Sequence, residues 1–183
     1  MTSKIKVNIL ADGGDNSIIT SDGAGSFTAS SGLASSVQSV GGLQNTPAFR
    51  AYLGSGQSVS SSTLTTIAFD IENFDTDNCY NTSTFRFTPT VAGKYYFFAG
   101  QRYTATGNYD TDLDLEIRKN GSGIARFRGI NYYQDSRITQ TIVEMNGSTD
   151  YVEATVYQTT GISLTIQPNN SDCFFGGYKL IGA

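Results

Sequence analysis

The chain has 183 residues and a formal charge of −4 at pH 7, and only 15% of its residues are charged. It therefore lacks the basic stripe that neutralises phosphates, so neither nucleic acid nor an anionic membrane surface is an expected partner. Histidine is absent, which excludes Ser-His-Asp and Cys-His catalysis and imidazole zinc sites.

The composition favours one all-β core. Thr, Ser, Gly, Asn, Tyr and Phe are abundant, whereas proline occurs 3 times and tryptophan never, which is typical of short strands joined by tight turns. No apolar run approaches the ~20 residues of a membrane helix. Residues 1–6 lack the apolar core of a secretory signal. We expect neither membrane insertion nor export.

Residues 1–44 differ in texture from the rest of the chain. A short alternating segment at 5–9 is followed by Gly/Asp-rich stretches, and apolar residues come singly or in pairs between Ser and Gly clusters. Such a segment cannot bury a core of its own. We predict that residues 1–44 form an attachment arm or stalk and that residues 45–183 form the domain.

Beyond Pro47, short segments with a two-residue alternation are separated by turn residues. Asn120-Gly121 and Asn146-Gly147 supply the residue pair that two-residue hairpin turns prefer. No segment has convincing helical periodicity. Regularly spaced short strands predict a sandwich or barrel. The predicted strands lie at 63–69, 85–87, 113–117, 138–145 and 151–157.

Cysteine and acidic residues give weak signals for sites. Cys79 and Cys173 are too few for a disulfide framework, and two buried, unpaired thiols are expected, with a single bridge as the alternative. Acidic residues at 75–78 and 110–112 could offer oxygen ligands to calcium, but solvated turns that keep strand edges from pairing are the favoured interpretation. No carboxylate pair stands in a glycosidase motif. We expect no catalytic residue, no metal and no cofactor.

Four tyrosines lie in Gly/Asn/Asp-rich stretches that are typical of loops. Their rings could stack on sugars, with amide and carboxylate groups nearby as hydrogen-bond partners. Packing at strand ends is the alternative. These candidate ligand-facing residues are Tyr103, Tyr109, Tyr132 and Tyr133.

Four segments in chain order carry a family resemblance. They are an alternating strand at 47–52, the Asn/Tyr and Thr/Phe/Pro/Gly/Tyr stretches at 80–97, the strand at 113–121 that ends in Asn-Gly, and the closing aromatic-Gly strand at 173–181. Together they resemble the globular head of the complement component-one-q and tumour-necrosis-factor superfamily.

The resemblance implies an all-β, ten-strand jelly roll of two sheets that assembles as a homotrimer. The trimer axis would be lined by aromatic and aliphatic side chains. Candidates for the core and for that interface are Phe49, Tyr52, Tyr95, Phe97, Phe174 and Tyr178.

Upstream of the head there is no collagen-like repeat, and residues 4–44 resemble the attachment regions of bacteriophage fibre and decoration proteins. The segments 40–49 and 75–80 resemble those of marine-phage structural proteins with this head. The resemblance implies a non-enzymatic protein at the virion surface, forming a homotrimeric fibre, knob or capsid decoration that its arm anchors to other virion proteins. The alternatives are a tail-fibre head that binds a host receptor or glycan and a secreted, lectin-like head.

Overall fold

The computed structural model describes residues 9–11, 13, 17–21, 27–29, 45–104, 109–131 and 136–181. The chain divides into two units, Met1–Gln44 and Asn45–Ile181. All regular secondary structure in the described residues is β-strand.

In the first unit, three short strands form an antiparallel sheet in chain order. They are β1 (Ile9–Ala11), β2 (Ser17–Ser21) and β3 (Phe27–Ala29). The sequence predicted only the alternating segment at 5–9 here. The second and third strands were missed because their segments are short and flanked by Ser, Gly and Asp, which are typical of turns.

The second unit contains two antiparallel sheets, and β10 is the longest strand of the first sheet. The strands of this sheet are β4 (Ala48–Tyr52), β5 (Gln57–Val59), β7 (Ile71–Asp75), β10 (Gly93–Thr104), β13 (Ser136–Met145), β15 (Leu164–Ile166) and β16 (Phe174–Lys179). One edge of β10 pairs with β13, and its other edge pairs with β16 and then β15. Beyond β16 the sheet continues through β4 to β7.

The second sheet is centred on a long hairpin. Its strands are β6 (Thr65–Thr66), β8 (Tyr80–Asn81), β9 (Arg86–Phe87), β11 (Tyr109–Lys119), β12 (Ser122–Asn131) and β14 (Val152–Gln158). Their order is β12-β11-β14-β9-β8, with β6 pairing with β14. The predicted two-sheet jelly roll is confirmed.

The core lies between the sheets and follows from the alternation of each strand. In β10, Tyr95 and Phe97 point inward and are fully buried, whereas Tyr96 and Phe98 point outward. Successive side chains of a strand take opposite sides of the sheet, so one strand supplies both the core and an outer surface.

Aromatic rings dominate this core. The ring of Phe49 stacks on that of Phe87 at a centroid distance of 4.5 Å and on that of Tyr80 at 4.8 Å. Phe175 meets Phe49 edge-on at 5.0 Å. Such pairs stabilise the core beyond the burial of their area.

The two Asn-Gly pairs form different turns. Asn120 and Gly121 have φ angles of 49° and 76° and join β11 to β12, so this predicted hairpin is confirmed. The two-residue hairpin predicted at Asn146-Gly147 is wrong, because the connection there crosses from β13 in the first sheet to β14 in the second. The side-chain Oδ1 atom of Asn146 instead accepts hydrogen bonds from three backbone N–H groups, those of residues 148–150.

The strand predicted at 63–69 is shorter than expected: Thr65–Thr66 form the ladder with β14, and the N–H of Ile67 adds one hydrogen bond to the carbonyl of Ala154. The side chain of Gln57 donates to the carbonyl of Thr66 and accepts from the N–H of Ala68. Backbone groups that a longer strand would pair are thus satisfied by a side chain.

Candidate functional site

The outer side of the first sheet carries a mainly aromatic and aliphatic surface, here called the aromatic face, which also includes the exposed Gln140 between Ile138 and Ile142. Its members are Tyr96, Phe98, Ile138, Ile142, Phe174 and Tyr178. Ile142, Tyr96 and Tyr178 are cross-strand neighbours on three adjacent strands. The exposed fractions of Ile138 and Ile142 are 55% and 60%. Contiguous exposed apolar surface on a soluble domain marks an interaction site.

The rings of the aromatic face contact one another. The Tyr96 ring lies 5.5 Å from that of Tyr178 and 5.9 Å from that of Phe98, and Phe98 lies 5.9 Å from Phe174, measured between centroids. The guanidinium of Arg50 covers Phe174 at 5.1 Å. The rings of the aromatic face therefore pack against one another before any partner binds.

Two glycines allow these rings to lie close to the backbone. A Cβ atom at Gly176 would lie 2.6 Å from Cζ of Phe98, and a Cβ atom at Gly100 would lie 2.7 Å from Cζ of Phe174. Aromatic rings commonly cover glycines in this way on sheet surfaces. The rings therefore lie flat against the sheet, and a second flat protein surface could pack on them.

The six aromatic residues that the sequence analysis proposed for the core or the interface lie on opposite sides of the first sheet. Phe49, Tyr95 and Phe97 are buried in the core between the two sheets. On the outward side of the first sheet, Tyr52, Phe174 and Tyr178 are partly buried.

Sequence reasoning did not select four members of the aromatic face, namely Tyr96, Phe98, Ile138 and Ile142. The sequence signal that could have identified Tyr96 and Phe98 is the alternation of side chains between the two sides of a strand. Within 95–98 the sequence is aromatic at every position, so both sides of the strand had to carry rings.

The prediction that Tyr103 faces a ligand from a loop is wrong. This residue lies in β10 and its side chain is fully buried, and burial raises its pKa above the ordinary value. The strand extends past the expected loop because it changes partner from β16 to β15 and pairs Tyr103 with Ile166. The side chain of Tyr109 and the whole of Tyr132 and Tyr133 lie outside the described residues.

The outer side of the second sheet has the opposite chemistry and is here called the charged face. It consists of Asp114, Glu116, Arg118, Arg126 and Arg128. The register of β11 and β12 sets Asp114 opposite Arg128 and Glu116 opposite Arg126. Cross-strand pairs of opposite charge stabilise a sheet.

Each carboxylate of the charged face contacts more than one arginine. Nε and Nη2 of Arg128 donate to Asp114 at 3.1 and 3.2 Å. Nε and Nη2 of Arg126 donate to Glu116 at 3.2 and 2.8 Å, and Arg118 donates to the other oxygen of Glu116. These charge-assisted bonds compensate for the burial of both carboxylates.

These side chains surround a groove of about 290 Å³. It is lined by Leu64, Asp114, Glu116, Arg118, Arg126, Arg128 and Tyr157. The two carboxylate side chains are only 5% and 6% exposed, whereas those of Arg126 and Arg128 are 46% and 54% exposed. The accessible charge of the groove is therefore mainly guanidinium.

The remaining candidate groups have structural contacts. Cys79 and Cys173 are buried free thiols. Asp75 accepts the N–H of Tyr80 at 2.7 Å, and Asp77 accepts the hydroxyl of Thr76 at 2.7 Å, so this acidic segment forms its own turn. No cluster of three metal-ligating side chains occurs within the described ranges. The same ranges contain no helix long and apolar enough to cross a membrane.

No protein-family model and no curated relative matches the chain, whereas solved structures match its fold. The globular domain of zebrafish complement 1qA protein is 16% identical, with a TM-score of 0.51, over 73% of this chain and 96% of that chain. Murine APRIL is 11% identical, with a TM-score of 0.54, over 73% of this chain and 98% of that chain. Likeness at this identity concerns the fold alone. The chain thus contains a complement-q/tumour-necrosis-factor-like jelly roll.

Proposed function

We propose that this protein is a non-enzymatic bacteriophage virion protein whose jelly-roll head forms a homotrimer through the aromatic face. The head projects as a surface fibre, knob or capsid decoration. The first unit, residues 1–44, anchors it to other virion proteins. The observation that supports self-association is the exposed aromatic face itself.

The aromatic face has the composition of an interface core. It combines two exposed isoleucines with four partly buried rings, one of which, Phe174, is covered by Arg50. Burying apolar surface stabilises by about 25 cal/mol per Å², and interface centres are depleted in charge and enriched in aromatic residues. Two further copies of the chain, arranged with this one about a threefold axis, would cover that surface.

Threefold symmetry rests on the resemblance of the head to the complement component-one-q and tumour-necrosis-factor superfamily. The virion location rests on the resemblance of residues 4–44 to the attachment regions of phage fibre and decoration proteins. A closed ring of three copies leaves no unpaired interface. Three anchoring arms would also bind a particle with avidity, because each bound arm raises the effective concentration of the others.

The variant Ile142→Glu tests self-association. Ile142 is 60% exposed in the subunit, so a charge there should spare the fold while opposing burial at an interface. We expect light scattering to give three chain masses for the full-length protein and one for the variant. The control Ile124→Glu, on β12 of the second sheet, should keep the wild-type mass. A monomeric or dimeric wild-type protein, or a variant of unchanged mass, contradicts the proposal.

The virion location is tested on purified phage particles. An antibody raised against the head should label intact particles by immunogold electron microscopy, and mass spectrometry should detect the protein in the same particles. Absence of the protein from purified particles contradicts this part of the proposal and leaves self-association unaffected.

A sugar-binding head is the second candidate function. The four tyrosines that were predicted to lie in loops do not support sugar binding as a group, because Tyr103 is buried. The observation that favours it is the groove on the charged face.

A further inference from the structure

We propose that the groove on the charged face binds an acidic sugar and holds its acid group, a carboxylate or a sulfate, between Arg126 and Arg128. This inference specifies the ligand of the second candidate function. The proposed site involves the charged face of the second sheet and not the aromatic face, so failure of one proposal would not contradict the other.

The first argument is the number of donors that remain on the two arginines. A guanidinium has five N–H groups, and both Arg126 and Arg128 use Nε and Nη2 toward a buried carboxylate. Their Nη1 atoms have only distant carboxylate neighbours, at 3.8 Å from Asp114 and 3.9 Å from Asp112. Those distances exceed a hydrogen bond. Each arginine thus keeps donors for an external anion.

The second argument is that these arginines are already oriented. Two hydrogen bonds to a buried carboxylate fix the plane of each guanidinium, so little conformational entropy is lost when a ligand binds. Arg126 and Arg128 are two residues apart on one strand and share a face, with a backbone separation of roughly 7 Å. One acid group with oxygens on both sides can bridge two such neighbours.

The third argument is the lining of the groove. The residues that line it include three arginines and two carboxylates. Both carboxylates are buried beneath the arginines, so the charged groups that line the open groove are guanidinium N–H donors, which suit an anion. The exposed Asp112, 3.9 Å from Arg128, balances one of these charges. Leu64 and the partly buried Tyr157 add an apolar wall and a ring, on which the face of a sugar can pack. A volume of about 290 Å³ lies at the lower end of ligand sites, which fits one monosaccharide unit.

The binding experiment uses the full-length, ¹⁵N-labelled protein and three matched probes: glucuronate, glucose 6-sulfate and glucose. We expect at least one of the two acids to shift the Nε–Hε signals of Arg126 and Arg128 saturably, with a dissociation constant on the order of 1 mM. Which acid binds more tightly identifies the acid group. Glucose should leave these signals unchanged. If neither acid saturates, or if glucose shifts the signals equally, the inference is overturned.

Single variants locate the site and leave each buried carboxylate an arginine nearby. In Arg126→Gln, Glu116 keeps its hydrogen bond from Arg118 at 2.5 Å. In Arg128→Gln, Asp114 loses both of its arginine hydrogen bonds and keeps only the longer ion-pair contact with Nη1 of Arg126 at 3.8 Å. Each variant should weaken binding of the acid by about 5-fold or more, because a charge-assisted hydrogen bond is lost. Thermal melting checks that the variants fold.

The matched control is Arg86→Gln. Arg86 is 42% exposed and pairs with the buried Glu153 at 3.0 Å, as the groove arginines do with their carboxylates, but it lies outside the groove. This variant should bind the acid as the wild-type protein does. Equal loss in Arg86→Gln, or unchanged binding in folded groove variants, overturns the inference. If a glutamine variant does not fold, Arg128→Lys retains the charge, loses the planar fork and should still weaken binding.

Discussion

The two outer sides of the sandwich cover the same core but have opposite chemistry. The aromatic face packs rings over Gly100 and Gly176. The charged face packs arginines over the buried carboxylates Asp114 and Glu116. Since both sheets supply similar apolar side chains to the core, the core does not explain the difference.

The difference shows which positions of a β-sandwich are free to carry side chains that suit a partner. Alternation assigns every second side chain to the core, and folding alone constrains the other set weakly. An outward set of uncharged rings would be stabilised by a second protein surface. An outward set of oriented arginines is instead suited to a small anion. The following predictions perturb both faces together and then each face alone.

The largest expected effect is alkaline unfolding, because it acts on the core that both faces share. Burial raises the pKa of the Cys173 thiol from 9.0 to about 11, and it raises the pKa values of Tyr80, Tyr95 and Tyr103. The unfolded chain therefore loses these protons at lower pH than the native chain. The free energy of unfolding is therefore unchanged below about pH 9 and falls as the pH rises toward 11 and beyond.

Urea unfolding at a series of pH values measures this loss. The midpoint should fall steadily above about pH 9, and self-association and sugar binding should be lost together with the fold. Burial also raises the pKa of the Cys79 thiol. In Cys173→Ala, the fall between pH 9 and 10 should be smaller, because one of the two thiols that ionise first in the unfolded chain is gone. A midpoint that stays constant over that range would show that the buried thiol does not influence stability.

The second prediction alters the aromatic face alone. In Gly176→Ala the new methyl group would lie 2.6 Å from Cζ of Phe98 and 3.0 Å from the carbonyl oxygen of Phe49. Overpacking of this kind costs about 1–3 kcal/mol. We expect that loss in urea unfolding, together with weaker self-association, because the Phe98 ring must lift from the sheet. Binding of the acidic sugar should not change.

Gly56→Ala is the matched control. Its added methyl would lie 3.2 Å from a methyl group of Thr165, a side chain that can adjust. The change should cost at most about 0.5 kcal/mol. If both glycine variants lose the same stability, crowding by the Phe98 ring is not the cause.

The core of the jelly roll was readable from the sequence where apolar and polar residues alternate, as in 113–117, because that alternation fixes which side chains point inward. Positions that depend on strand pairing were not readable. Tyr103 has the sequence neighbourhood of a loop, yet β10 continues through it because β15 becomes available as a partner. Asn146-Gly147 has the composition of a hairpin turn, yet the chain leaves the sheet there.

The groove was also hidden from sequence reasoning, for a specific reason. Counting outward from Asn120-Gly121 with regular pairing sets Glu116 opposite Ala125 and turns Arg126 to the core side. A register shift between Ile117 and Arg118 moves the pairing by one residue, so that Glu116 faces Arg126. Such a bulge leaves no clear signature in one sequence.

The third prediction alters the charged face alone and has the smallest expected effect. In Glu116→Gln, Arg118 and Arg126 lose an ionised acceptor, but both are partly exposed and can bind water. The expected cost is about 1–2 kcal/mol in urea unfolding. Sugar binding should weaken because Arg126 is no longer held in place, while the oligomer mass should stay that of the wild-type protein.

In the control, Asp112→Asn, the side chain is 53% exposed and lies 3.9 Å from Arg128, so stability should change by less than about 0.5 kcal/mol. A lower oligomer mass in Glu116→Gln would show that the two faces are coupled and would contradict their separate roles.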